Sequence, residues 1–194
     1  MYPLLIQRNN TESELQGASM FKEIEEFLVQ VDHIPYKQKP DSKEMASIKA
    51  RTQGNEPKSL TAEQLVDFIE QGCSISPAVL KGGLKAENWI QQQLFFIDID
   101  NNNKKVPPML ICEAIEICIN NEIEPLLYYE SYSHTDSNPK FRLVFAMDEP
   151  IFEEWKRKII IETLISLFPQ ADTSCTNADR IFFGTNKGCT FYEY

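Results

Sequence analysis

A chain of 194 residues with 42% apolar and 25% charged residues has the composition of a single globular domain, which excludes fibrous and intrinsically disordered classes. Its apolar runs are far shorter than a bilayer span, and Met1 to Arg8 lacks the basic start and apolar stretch of a signal peptide, so a soluble, cytoplasmic protein without membrane contact is expected. The net charge of −10 argues against a dedicated DNA-binding domain, which is normally basic, but is compatible with an enzyme that carries a local basic cleft.

Residues 1–18 read as an extended arm. Met20 to Val29 predicts a helix capped by Ser19. Residues 36–58, with Pro40, Gly54 and Pro57 among many polar residues, read as loop. Thr61-Ala-Glu-Gln64 is a capping box opening a helix that ends at Gly72. Ser76 to Gly83 is an extended segment and a turn. Leu94 to Asp100 is a short apolar β run, and Asn101 to Lys105 a turn. Pro107 and Pro108 suit the start of a helix over Met109 to Asn120. Pro125 to Ser131 and Phe141 to Met147 read as a hairpin, with the polar loop Tyr132 to Lys140 between them. Asp148 to Pro150 is a turn. Phe152 to Phe168 is an amphipathic helix with Phe152, Trp155, Ile159, Ile160 and Leu164 on one face. Arg180 to Gly184 is a strand, and Cys189 to Glu193 a further one. From residue 94 the order is β-α-β-β-α-β, the ferredoxin-like pattern, so the expected class is α+β.

The five cysteines, Cys73, Cys112, Cys118, Cys175 and Cys189, contain no CxxC pair, and the two histidines are His33 and His134. This argues against a disulfide framework, a zinc site or a His-rich metal site. Asp98-Ile-Asp100 is different. Residues two apart in a strand face the same way, and two like charges there call for a cation or a partner. Hard carboxylate oxygens suit Mg²⁺ or Mn²⁺. Ser131 to His134 and Lys140-Phe-Arg142 place hydroxyls, an imidazole and cations on one hairpin, a set that can hold phosphate. Asp172 and Arg180 offer a third carboxylate and a further cation. Taken singly, His134 reads as a loop histidine and Asp172 as a turn residue or a cap, while the pair Asp98/Asp100 reads equally as a metal site or as two solvated acids at a strand end.

As an ordered set, Leu94 to Asp100, Ser131 to His134 and Asp172 resemble the three motifs of the archaeo-eukaryotic primase superfamily: an apolar run ending in DxD or DxE, an S-x-H element and a later acid. The likeness is closer to primase-polymerases of phages, plasmids and integrative elements, through Ser133-His134-Thr135, Lys140 to Phe145, and Asp172 with Arg180 to Phe183. It covers roughly residues 88–188. It departs at Tyr132, where a strict S-x-H would carry serine, and at His134, which falls in the loop.

The resemblance implies a modified RNA-recognition-like catalytic core over 88–194, with 1–87 as an arm and small α/β lobe packed on it in one compact domain. It implies that Asp98, Asp100 and Asp172 are catalytic and hold two divalent ions, Mg²⁺ or Mn²⁺, with no zinc. It implies that Ser133, His134, Lys140, Arg142 and Arg180 bind the triphosphate of a dNTP or NTP, and that single-stranded DNA template and primer are partners in the replication of a mobile element, in a bacterial host or encoded by a phage or plasmid. At this length the chain is short for a complete replication protein, which leaves open a helical or helicase domain beyond Tyr194. Two other readings stand beside this one. A DxD pair also occurs in metal-dependent transferases that use sugar nucleotides. A non-catalytic single-strand-binding or initiator module would use sheet aromatics such as Phe95, Tyr128, Tyr129, Phe182 and Phe183.

Overall fold

Phe27–Asp32 forms strand β1 in the computed structural model, which describes residues 26–83 and 85–192. Phe27, Val29 and Val31 alternate into the core, the period of a strand. That alternation overrides the helix expected over Met20 to Val29, of which Phe27 to Val29 are strand; its cap Ser19, residues 20–25 and the expected arm lie outside the described residues. On the opposite face of β1, Gln30 and Asp32 are polar yet buried, and their groups are satisfied. The Gln30 amide exchanges two hydrogen bonds with Leu80 (3.3 and 3.2 Å). Asp32 accepts both arms of the Arg51 fork at 2.7 Å.

The loop expected over 36–58 is corrected: it contains helix α1 (Ser42–Gly54) and the start of strand β2 (Lys58–Leu60). Asp41 accepts from the amides of Lys43 and Glu44, and the Glu44 carboxylate accepts from the Asp41 amide at 2.7 Å. Pro40, Gly54 and Pro57 bracket this helix rather than interrupt it. Helix α2 (Ala62–Glu70) starts at the expected Thr61–Gln64 box. The chain leaves it through Gln71 and Gly72, the latter with φ +84°. A Cβ there would meet the Tyr36 carbonyl oxygen at 1.9 Å. Gly72→Ala is therefore expected to cost about 2 kcal/mol or more through the left-handed backbone and the clash, read as a lower urea midpoint.

Strands β3 (Ser74–Ser76) and β4 (Ala78–Leu80) follow. The second half runs β5 (Trp89–Ile99), α3 (Ile111–Asn120), β6 (Leu127–Glu130), β7 (Phe141–Ile151), α4 (Glu154–Leu167), β8 (Phe182–Phe183) and β9 (Cys189–Phe191). Among the described residues these make four helices and two antiparallel sheets, ordered β2-β1-β3-β8 and β4-β5-β7-β6-β9. The α+β class is as expected, and β5-β7-β6 has the 1-3-2 order of a β-α-β-β-α-β unit. The modification lies in the fourth strand. β8 pairs with β3 in the smaller sheet, and β4 takes the place beside β5. Each sheet thus borrows a strand from the other half of the chain. No helix among the described residues is long and apolar enough to cross a membrane.

Two further expectations change. Asp148 to Pro150 is not a turn: β7 continues to Ile151, which pairs with Gln92 beyond a register shift. Proline is tolerated there because a strand end does not need its N–H. On α4 the core takes Arg157, Ile161 and Leu164, while Trp155 and Ile159, and Phe152 just ahead of the helix, are exposed. The run Ile159-Ile160-Ile161 spreads apolar residues around the helix, so periodicity alone does not select the buried side.

Candidate active site

Pairing between β5 and β7 sets Asp98 directly opposite Arg142, and pairing between β7 and β6 sets Arg142 opposite Tyr129. These three side chains therefore share one face of the large sheet. A slip of one residue would send all of them to the other face. Asp100 follows two residues after Asp98, just past the end of β5.

Asp172 arrives by a different route. After α4 the chain lies antiparallel to the end of β5: the Asp172 amide donates to the Asp98 carbonyl at 2.8 Å, the Asp100 amide to the Gln170 carbonyl at 3.3 Å, and Ile99 bridges Ala171. Asp172 then caps a short 3₁₀ turn, Thr173–Thr176. Arg157, buried on α4, ties this turn down by donating to the Thr176 carbonyl at 3.1 Å. The Cys175 thiol accepts from the Asp98 amide at 3.4 Å. Burial pushes that thiol up to about 11, so it stays protonated near neutral pH.

The outcome is a cluster in which one oxygen from each of Asp98, Asp100 and Asp172 lies within 4.8 Å of the others. Three carboxylates so close repel, and each has a cation. Arg142 Nε reaches Asp98 at 3.1 Å, and Arg180 spans Asp98 (2.9 Å) and Asp172 (2.8 Å). Lys140 reaches Asp100 at 3.4 Å. Partial burial raises the Asp172 carboxyl, but hydrogen bonds from Ser174 and the Arg180 guanidinium outweigh it and hold the group below the usual carboxylate range. Burial opposes the charge on Arg142 and Arg180, and the facing acids more than restore it, Asp98 for Arg142 and Asp98 with Asp172 for Arg180, so both stay cationic.

The two arginines are also held in place by aromatic rings. Arg142 donates to the Phe183 carbonyl at 2.6 Å and to the Tyr129 hydroxyl at 3.3 Å. Arg142 and Arg180 sit 5.8 and 5.0 Å from the centre of the Phe182 ring, which itself stacks on Phe96. Burial raises the Tyr129 phenol to about 12, so it remains a neutral hydrogen-bonding group. β8 of the small sheet thus acts as a backstop for the cations of the large one.

The acids, Arg142 and Arg180 open onto a cleft of about 240 Å³. Of the other residues singled out in the sequence, Ser133 lines the cleft. Lys140 holds Asp100 and Asn102. His134 is not part of the wall. Its Nδ1 accepts from the Lys140 amide at 3.2 Å, and its Nε2 lies 3.3 Å from Glu130. The wall also holds Ser131 and Tyr132, Ile181 and Phe183, and Lys39. Ser131 and Tyr132 belong to the Ser131 to His134 element and Ile181 and Phe183 follow Arg180, while Lys39 was not foreseen and comes from a stretch read as loop. Phe95, Tyr129 and Phe182, which a strand-binding module would need on its surface, are buried.

Three clustered carboxylates are hard oxygen donors, the set that suits Mg²⁺ or Mn²⁺ better than zinc or copper. Each carboxylate oxygen has more than one lone pair, so the guanidinium contacts leave acceptor capacity for a cation. The donor set therefore fits a divalent ion.

No protein-family model matches the sequence, and no curated protein matches it. Among solved structures, the AEP domain (PP-N190) of the cyanophage S-2L primase-polymerase (PrimPol) is similar, covering 86% of this chain and 80% of that chain at 12% sequence identity, with a TM-score of 0.47.

Proposed function

We propose that this chain is the catalytic domain of a primase-polymerase of the archaeo-eukaryotic primase superfamily, carrying out template-directed nucleotidyl transfer in the replication of a mobile element. The observation that carries this reading is the convergence of Asp98, Asp100 and Asp172 within 4.8 Å on a cleft walled by Arg142 and Arg180. The ordered sequence motifs supply its second support. Mg²⁺ or Mn²⁺ held by the three acids would activate a primer 3′-hydroxyl and stabilise in-line displacement at the α-phosphate. The side chains do the rest by placement and charge. Arg142 and Arg180 face the cleft with forked donors suited to phosphate oxygens. The rings of Tyr129 and Phe182 fix the direction of those forks, so little reorganisation is needed when charge develops. The Ser133 hydroxyl offers a further hydrogen bond at the cleft wall. Lys140 keeps the Asp100 carboxylate turned inward, and His134 steadies the loop that carries Ser133.

Incorporation of labelled dNTPs and NTPs on single-stranded DNA, with and without primer, in Mn²⁺ and in Mg²⁺, tests the reading. Product that needs a divalent ion is expected, and product without added primer would make the domain a primase. Folded protein that yields none on primed template in either metal would overturn the proposal.

A further inference from the structure

Every acid in the cleft is already matched. Asp98, Asp100 and Asp172 carry three negative charges, and Arg142, Lys140 and Arg180 carry three positive ones. Lys39 joins Arg142 and Arg180 on the cleft wall and, with Lys140 behind Asp100, brings the cluster to four cations against three acids. It has no carboxylate partner among the described residues, and it lines the same cleft as two guanidinium groups. Like charges around one small cavity are unfavourable unless an anion lies between them. The whole chain is acidic, so this local excess of positive charge is not a general property of its surface.

The backbone that delivers Lys39 is tied on both sides. Upstream, the Tyr36 amide donates to the Gly72 carbonyl at 3.1 Å, and the Tyr36 carbonyl accepts from the Tyr132 hydroxyl. The Tyr36 phenol accepts from Arg51 at 2.9 Å, and Arg51 is itself locked onto buried Asp32. The Lys37 carbonyl accepts from Asn186 at 3.0 Å. Downstream, Pro40 is buried and Asp41 caps α1. The Lys39 side chain itself is exposed at the cleft wall and free to reach.

We propose that Lys39 is a direct contact to the triphosphate of the bound nucleotide, so that the anion site is closed by a residue of the N-terminal half. This rests on the nucleotidyl-transfer reading but is tested without turnover. Binding of a dNTP and of inorganic tripolyphosphate is measured by calorimetry in Mn²⁺ for wild type, Lys39→Ala and Lys39→Arg. Loss of one charge-assisted hydrogen bond predicts an affinity roughly tenfold weaker for Lys39→Ala with both ligands, with most of it regained in Lys39→Arg. Affinity for single-stranded DNA, measured in parallel, is expected to stay within about twofold. Wild-type affinity for both phosphate ligands in Lys39→Ala would overturn the assignment, as would a loss confined to DNA binding, which would make Lys39 a template contact. A wild type that binds nucleotide through Lys39 but incorporates none would sink the polymerase reading and leave this one standing.

Discussion

Asp100→Asn is expected to give a folded protein that incorporates no nucleotide, whereas Asp98→Ala is expected to lose the fold along with the chemistry. The difference follows from burial. The Asp100 side chain is 31% exposed and is paired with one lysine. Such a pair is worth about 0–1 kcal/mol to stability. Asparagine keeps its shape while removing an anionic ligand, and losing several kcal/mol of metal-supplied charge stabilisation lowers the rate by roughly a thousandfold. Asp98 is 5% exposed and accepts from both Arg142 and Arg180. Removing it leaves two partly desolvated guanidinium groups facing each other, and orphaning a buried charge costs about 3–5 kcal/mol. Urea unfolding beside the incorporation assay separates the two cases. A folded Asp100→Asn protein with full activity would remove the carboxylate cluster from the chemistry.

Arg142→Ala carries the second large effect. Arg142 is buried and ties three strands together: Asp98 on β5, Tyr129 on β6 and Phe183 on β8. The truncation leaves a cavity against two aromatic rings and removes the strongest donor to the Phe183 carbonyl. Asp98 keeps Arg180, so the charge is not wholly orphaned, and a loss of about 2–4 kcal/mol is expected. The apparent nucleotide KM should rise tenfold or more, because a forked phosphate donor is gone. Arg142→Lys should restore part of the stability and little of the KM, since a single ammonium does not reproduce the fork. An unchanged KM in a folded variant would take Arg142 out of the nucleotide site.

What could be read from the sequence was local. The apolar run before Asp98 and Asp100 announces a strand, and period two puts both acids on one side. The Thr61 box and Gly72 mark both ends of α2. What escaped was tertiary. That Asp98 faces Arg142 depends on the register of strands more than forty residues apart in the chain, which no local pattern encodes. Asp172 reaches the cluster through backbone pairing of residues 170–172 with the end of β5, a contact with no side-chain signature. Arg157 ties down the turn after Asp172 and occupies the buried side of α4, where an apolar residue was expected. Lys39 lay in a polar stretch read as loop from its prolines and glycine, and the Asp41 to Glu44 capping box that opens α1 went unread.

The most direct test of the account is a manganese titration followed by electron paramagnetic resonance, on wild type, Asp100→Asn and Asp172→Asn, with and without a nucleoside triphosphate. Wild type is predicted to bind Mn²⁺ more tightly when nucleotide is present, and each asparagine variant is predicted to bind it at least tenfold more weakly while remaining folded. Variants that bind Mn²⁺ as wild type does, or a wild type that binds none with nucleotide present, would contradict a divalent-metal centre built from these three carboxylates.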